Sequence, residues 1–267
     1  MTETGDMTID QIVEPRPERL GERGFLAGTT ALVTGGARRI GRALCLALAW
    51  EGATVVVHYL TSEAAAAATV LELEAFGGRA FKVKCDLADP ENAAELVIRA
   101  AAIAGRPLDI LVNNASVFGP GSPLTTTVEQ WDLNQAVNLR APFLLSQAFA
   151  GQVPAGIVGN IINLNDFRAV KPGTDHFAYT MSKVGLHGLT RSLALALAPG
   201  IRVNELALGA VMAPEEAPDG YEHTLREQIP IRKFPSLDEV SNAMVFLLGN
   251  EGITGQTIFV DGGRHLT

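Results

Sequence analysis

The chain is short of several things, and each shortage narrows what it does. Two cysteines in 267 residues, Cys45 and Cys85, both fall in apolar runs. They offer no disulfide framework and fit a reducing, cytoplasmic setting. Basic residues are outnumbered 21 to 29, for a net charge of −8. That excludes the basic surface which nucleic-acid phosphates require. No apolar stretch reaches the roughly 20 uncharged residues of a membrane span. The longest candidate, Ala43–Ala49, is broken by Trp50-Glu51-Gly52. His187, His223 and His265 have no clustered partners, so no metal site is expected. Residues 1–24 carry Glu3, Asp6, Asp10, Glu14, Pro15 and Pro17 without the apolar core of a signal peptide. They read as a polar arm before a domain spanning 25–267.

What is present is a folded-domain composition, 47% hydrophobic and 19% charged. Short β-type runs alternate with helical patterns. Strands are expected at Thr30–Val33, Thr54–His58, Ala80–Lys84, Ile110–Val112, Ile157–Asn163, Arg202–Leu206 and Thr257–Val260. Helices are expected near 39–51, 62–76, 90–104, 128–151, 175–198 and 238–248. Strands separated by helices imply βαβ units in a parallel sheet. The continuous apolar runs Ala31-Leu32-Val33 and Val55-Val56-Val57 suit strands covered on both faces. No repeat or linker divides the chain, so one α/β domain is expected.

Thr34-Gly35-Gly36-Ala37-Arg38-Arg39-Ile40-Gly41 follows the first strand and opens the first helix. In that context glycines allow close backbone approach, and the helix N-terminus faces a pyrophosphate. About 20 residues on, where an NAD enzyme usually offers a carboxylate to the ribose, this chain has His58, Tyr59, Leu60, Thr61 and Ser62. Nothing there repels a 2′-phosphate, while Arg38, His58, Thr61 and Ser62 are candidates to bind one. NADPH is therefore expected in preference to NADH.

Tyr179 and Lys183 stand four residues apart, which on a helix places phenol and ammonium on one face. The cation is expected to lower the phenol's pKa and make Tyr179 a general acid or base. Asp166 lies thirteen residues upstream, at the end of a strand-like run. His176 is expected to begin the helix or line the entrance. The stretch Met212–Pro230, rich in Glu and Pro, reads as a substrate lid or a plain surface loop.

From about Leu26 onward the chain resembles the short-chain dehydrogenase/reductase superfamily. The Thr-Gly cradle, Asp86-Leu87, Asn113-Asn114-Ala115, Asn138, Tyr179-x-x-x-Lys183 and Asp261-Gly262-Gly263 occur in the family's order. The resemblance implies a single-domain Rossmann fold, a doubly wound sheet of seven parallel strands with helices on both faces. It also implies adenine contacts near Asp86 and Leu87, and Asn113 steadying the central strand. Asn138 would hold a water in a proton relay through Lys183 to Tyr179. Cofactor contacts fall on Gly35, Arg38, Arg39, Ile40, His58, Tyr59, Ser62, Asp86, Leu87, Asn114, Ala115, Ser116, Tyr179, Lys183, Gly209 and Val211. Family members are usually homotetramers pairing the helices that correspond to 128–151 and 175–198.

Three departures sharpen the resemblance. The cradle's usual middle glycine is Arg39, and the usual catalytic serine is Asp166. The segment after the sixth strand reads Leu208-Gly209-Ala210-Val211-Met212, without the usual Pro and Thr; the backbone of Val211 remains to meet the nicotinamide carboxamide. The first two, with His58-Tyr59, Ser62 and Ser116-Val117-Phe118, are similar to pteridine reductases and dihydromonapterin reductases. In that subfamily the corresponding residues imply a pterin stacked by Phe118, touched by Arg39 and Ser116, and protonated by Asp166 with Tyr179. A serine hydroxyl donates to a ketone oxygen, whereas an ionised Asp accepts from ring N–H and amino groups. The expected activity is NADPH-dependent reduction of a pteridine, a small-molecule substrate. A carbonyl reductase, of ketones or 3-oxoacyl groups, is the alternative on the same fold. A non-catalytic NADP-binding regulator is the alternative from another class, and its signature would be a broken Tyr/Lys pair.

Overall fold

Every strand after the first is reached by a helical crossover, so the chain builds a parallel sheet in a computed structural model describing residues 24–75, 77–154, 156–212 and 220–267. The strands are β1 (Thr30–Val33), β2 (Thr54–Tyr59), β3 (Ala80–Lys84), β4 (Ile110–Asn113), β5 (Gly159–Asp166), β6 (Ile201–Leu208) and β7 (Thr257–Val260). Their order is β3-β2-β1-β4-β5-β6-β7, with every neighbouring pair parallel. The order reverses between β1 and β4, the point where an open α/β sheet leaves a crevice at its carboxyl edge. This is the expected Rossmann architecture.

Helices α1 (Arg39–Trp50), α2 (Glu63–Ala75) and α8 (Leu237–Gly249) cover one face. Helices α3 (Pro90–Ala104), α5 (Ala141–Gln152) and α6 (Phe177–Ala196) cover the other. Leu44, Leu48, Leu73 and Met244 fill the first interface, and Leu96, Leu145, Phe149 and Ile161 the second. All eight are essentially sealed from solvent; burying one such side chain contributes about 1.5–3 kcal/mol. Short α4 (Val128–Gln135) and α7 (Tyr221–Glu227) lie outside these layers. Asp89 caps α3 ahead of Pro90, while Thr127 with Gln130 and Ser236 with Glu239 form capping boxes for α4 and α8.

Besides shifts of one or two residues at the ends of β2, β4 and several helices, four elements differ from expectation. β5 starts two residues later than expected and runs on to Asp166, because Asn163 and Asn165 lie inside the protein and bond there instead of ending the strand. β6 extends to Leu208 with Glu205 buried within it. The helix expected over 128–151 is broken at Ala136–Arg140 by a π-helical turn around Asn138. Such turns often accompany functional sites. Finally, α7 forms within the stretch read as lid or loop. Residues 213–219 of that stretch lie outside the described residues, as do residues 1–23 of the polar arm.

Candidate active site

The carboxyl ends of β1, β4, β5 and β6 converge on one edge of the sheet, and each contributes to the site. After β1 the chain turns through Thr34–Arg38 into α1. Gly41 sits so close to this turn that a methyl group there would collide with the carbonyl oxygen of Gly35 and lie 2.6 Å from Nδ2 of Asn114. Arg39 takes φ +52°, the left-handed region, although it is not glycine. That conformation costs on the order of 1 kcal/mol. Arg38 makes no side-chain cap, and the first turn of α1 carries no acid. An uncapped helix N-terminus beside two exposed arginines fits a phosphate group.

The cradle is bolted to the loop after β4. Thr34 Oγ1 accepts from the backbone N–H of Asn114 at 2.9 Å and of Ala115 at 3.0 Å. Asn114 Nδ2 donates back to the carbonyls of Thr34 at 2.8 Å and Gly35 at 3.2 Å. One strand further, Asn113 Nδ2 donates to Asn163 Oδ1 at 2.8 Å, tying β4 to β5 as expected.

His58 corrects an expectation. Its side chain is buried under the cradle, where Nδ1 accepts from the Gly35 N–H at 3.0 Å and Nε2 faces the Cys85 carbonyl at 3.0 Å. Burial lowers its pKa to about 4. A neutral imidazole with both nitrogens engaged does not bind a 2′-phosphate; it shapes the turn. Tyr59 is likewise buried. Arg38 and Thr61 are exposed, and Ser62, at the start of α2, is half-buried. The first carboxylate in that region, Glu63, is paired with Lys82 at 2.8 Å. Asp86 is exposed and turns onto the Ala88 N–H at 2.9 Å, with Leu87 buried beside it.

Asp166 closes β5, and Tyr179 Oη donates to its Oδ2 at 2.9 Å. The other oxygen, Oδ1, accepts from the Arg168 backbone N–H at 2.8 Å. Lys183 Nζ lies 5.6 Å from the centre of the Tyr179 ring and donates to the Leu164 carbonyl at 2.8 Å. Tyr179 and Lys183 are both buried. Burial first, then the Asp166 charge and its hydrogen bond, raise the Tyr179 pKa well above the usual phenol value. The expected lowering by Lys183 is therefore overturned, since the nearest partner of the phenol is an anion. Burial also lowers the Lys183 pKa to about 8, against the opposing pull of Asp166 and Glu205.

Asn138 anchors the loop that follows β4. Its Oδ1 accepts from the Val117 N–H at 2.9 Å and Ser116 Oγ at 3.1 Å, and its Nδ2 faces the Val117 carbonyl at 3.0 Å and Ser182 Oγ at 3.0 Å. The amide holds the 116–117 loop and joins it to α6 at Ser182. That loop presents Phe118, exposed, with its ring edge-on to Tyr179 at 4.7 Å and stacked on His176 at 4.0 Å. His176 starts α6 at φ +50° and reaches the Gly119 carbonyl at 2.8 Å, so it both begins the helix and flanks the site. Arg168 grips Asp175 with two bonds, at 2.6 and 3.2 Å. Gly209 donates to the Val260 carbonyl at 3.1 Å, too close to Asp261 for any side chain, with Val211 buried next to it. Ile40 is half-buried in the first turn of α1.

The structure thus brings together Asp166, Tyr179, Lys183 and Phe118, with Ser116 linked through Asn138. Arg168 and Glu205 were not singled out from the sequence. A carboxylate inside the expected strand Arg202–Leu206 was the signal for Glu205; Arg168 carried none. Among the described residues no cluster of side chains is suited to a metal, and no helix is long and apolar enough to cross a membrane.

A family model described as Enoyl-(Acyl carrier protein) reductase matches residues 35–265. Among curated proteins the chain is 33% identical over 250 residues to L-rhamnose 1-dehydrogenase (NAD(P)(+)) of Sphingomonas sp., covering 91% of this chain and 98% of that one. It is 33% identical over 242 residues to a 3-oxoacyl-[acyl-carrier-protein] reductase, FabG, of Staphylococcus epidermidis, covering 89% and 99%. Among solved structures it is similar to FolM Alternative dihydrofolate reductase 1 from Brucella canis complexed with NADP. That similarity has a TM-score of 0.84 and 36% identity, covering 91% of this chain and 96% of that one.

Proposed function

Because the chain belongs to the short-chain dehydrogenase/reductase superfamily and is an oxidoreductase of that kind, we propose that it is an NADPH-dependent reductase of a pteridine, acting on a dihydropterin- or dihydrofolate-type C=N bond. One observation carries the reading: Asp166, where the family resemblance leads one to expect serine, is hydrogen-bonded at 2.9 Å to Tyr179, whose ring meets Phe118 edge-on. The structural likeness to a FolM alternative dihydrofolate reductase supports it.

The residues present fit the cofactor. Gly35, Arg38, Arg39 and Ile40 would hold its phosphates, Asp86 and Leu87 its adenine, and the turn at Asn114–Ser116 with Gly209 and Val211 its nicotinamide half. Bound NADPH supplies a hydride to a ring carbon. The remaining chemistry belongs to the protein. Tyr179, its pKa raised by burial and by Asp166, enters the reaction protonated and gives its proton to the ring nitrogen. Lys183, anchored on the Leu164 carbonyl, offers an ammonium beside the phenolate that forms. Asp166, held by the Arg168 N–H, accepts from the amino and N–H groups along a pterin edge. Phe118 offers a flat face to the ring, and Arg39 and Ser116 flank it.

A second reading, reduction of a ketone or 3-oxoacyl group, is supported by the similarity to a 3-oxoacyl-carrier-protein reductase. It uses the same Tyr179 proton but leaves Asp166 without a substrate donor to meet. The Tyr179/Lys183 pair is intact, which sets the non-catalytic regulator aside. The enzyme is proposed to work in the cytoplasm as a homotetramer pairing α4–α5 and α6 with their copies. NADPH oxidation measured with dihydrobiopterin, dihydrofolate and a panel of ketones separates the readings. Turnover of the pteridines supports the first, and turnover of ketones alone defeats it.

A further inference from the structure

Behind the catalytic helix lies a second anion that the mechanism above does not use. Glu205, in the middle of β6, is fully buried. Its Oε1 accepts from Thr257 Oγ1 at 2.8 Å and meets His187 Nδ1 at 2.5 Å. Its Oε2 accepts from Thr190 Oγ1 at 3.0 Å and Asn165 Nδ2 at 2.9 Å. Four donors around one buried carboxylate are enough to replace its lost hydration. Asn165 Nδ2 also donates to the backbone carbonyl of Lys183 at 3.2 Å. The carboxylate is therefore fixed to the turn of α6 that carries the catalytic ammonium.

We propose that Glu205 is a positioning residue which, through Asn165 and its own charge, holds Lys183 in place and in its ammonium form. A buried ammonium is costly unless anions compensate it. The charged and titratable groups around Lys183 are Asp166 from β5, Glu205 from β6 and Tyr179 on α6 itself, with His187 on the far side of Glu205 and Arg168 facing Tyr179. Asp166 is engaged by Tyr179 and Glu205 by its four donors; Glu205 is the one linked through the Asn165 amide to the backbone of Lys183. Both Asp166 and Glu205 raise the Lys183 pKa against burial. The inference rests on Lys183 assisting proton transfer, and is indifferent to which substrate is reduced.

Lysine-selective isotope-labelled NMR tests it without turnover, since the chain has only five lysines; the Lys183 signal is assigned by its loss in Lys183→Met. Glu205→Gln keeps the size of the side chain, and the two threonine hydroxyls can rotate to suit an amide. The Lys183 midpoint, about 8 in the wild type, is expected to fall by about one pH unit or more. Glu205→Asp is expected to restore most of it. A role that is merely structural predicts the opposite sign, because a loosened site admits water and raises the midpoint. An unchanged or raised midpoint in Glu205→Gln overturns the proposal. Should that variant not fold, Glu205→Ser, which removes the charge and leaves room for a water among the four donors, is read the same way. With whichever substrate is turned over, the high-pH limb of kcat should move down with the midpoint. A protein that reduces no pteridine yet shows the NMR shift would defeat the substrate assignment and leave this inference standing.

Discussion

Tyr179 donates its phenolic hydrogen to Asp166 across 2.9 Å, joining the first turn of α6 to the carboxyl end of β5. A carboxylate so placed keeps the phenol protonated and turns an acceptor toward the substrate. Asp166→Ser replaces that acceptor by a donor. Its kcat/KM for a dihydropterin is expected to fall on the order of 100-fold, the scale of losing one positioned acid–base partner. Activity toward a ketone should hold steady or rise. A variant with full pterin activity would remove the role given to Asp166.

Phe118 has 59% of its surface exposed, so the fold gains little from it. Phe118→Ala should leave the melting temperature within about 2 °C of wild type, as expected for an exposed side chain. It should raise KM for a flat heterocycle up to about tenfold, the worth of one ring stack. Steady-state kinetics beside a thermal melt check both, and an unchanged KM would show that the substrate does not use this ring.

Arg38 is an exposed cation at the uncapped end of α1, with no carboxylate at the end of β2 to oppose a 2′-phosphate. Arg38→Glu should weaken NADPH binding by about 10- to 100-fold, the worth of one charged hydrogen bond, and alter NADH binding little. Fluorescence titration measures both. Tighter binding of NADH than NADPH by the wild type would contradict the cofactor assignment.

His58 makes stability pH-dependent. Its folded pKa is about 4, against an ordinary 6.5. Between those values the unfolded chain binds a proton that the folded one refuses, so stability present above pH 6.5 is lost as pH falls toward 4. The loss attributable to this residue is up to about 3 kcal/mol. His58→Gln can still accept from Gly35 and donate to Cys85, and it should lose that component. Urea unfolding across the window measures it, and an identical pH slope in the variant would refute the assignment.

Much of the fold was legible in the sequence because short β-type runs, Ala31-Leu32-Val33 and Val55-Val56-Val57 among them, alternate with helical patterns. The carboxyl end of β5 was not, since Asn163, Asn165 and Asp166 look like a loop until the buried partners Thr190, Glu205 and Tyr179 are in place. Local pattern could not reveal that His58 turns inward, because the Gly35 N–H it serves lies 23 residues away in the chain. The Tyr179 pKa went the wrong way for a related reason. Spacing on one helix gave the Lys183 partner, whereas the decisive anion comes from another strand. The left-handed backbone at Arg39 was foreshadowed by the glycine expected there.

The most direct test is a competition in one vessel. Equal amounts of dihydrobiopterin and a 3-oxoacyl thioester are offered with NADPH deuterated at the transferring position, and the products are weighed by mass spectrometry. Deuterium on the tetrahydropterin ring is expected, with little in the hydroxyacyl product. Deuterium found only in the hydroxyacyl thioester would contradict the pteridine assignment and make Asp166 an unusual residue in a carbonyl reductase.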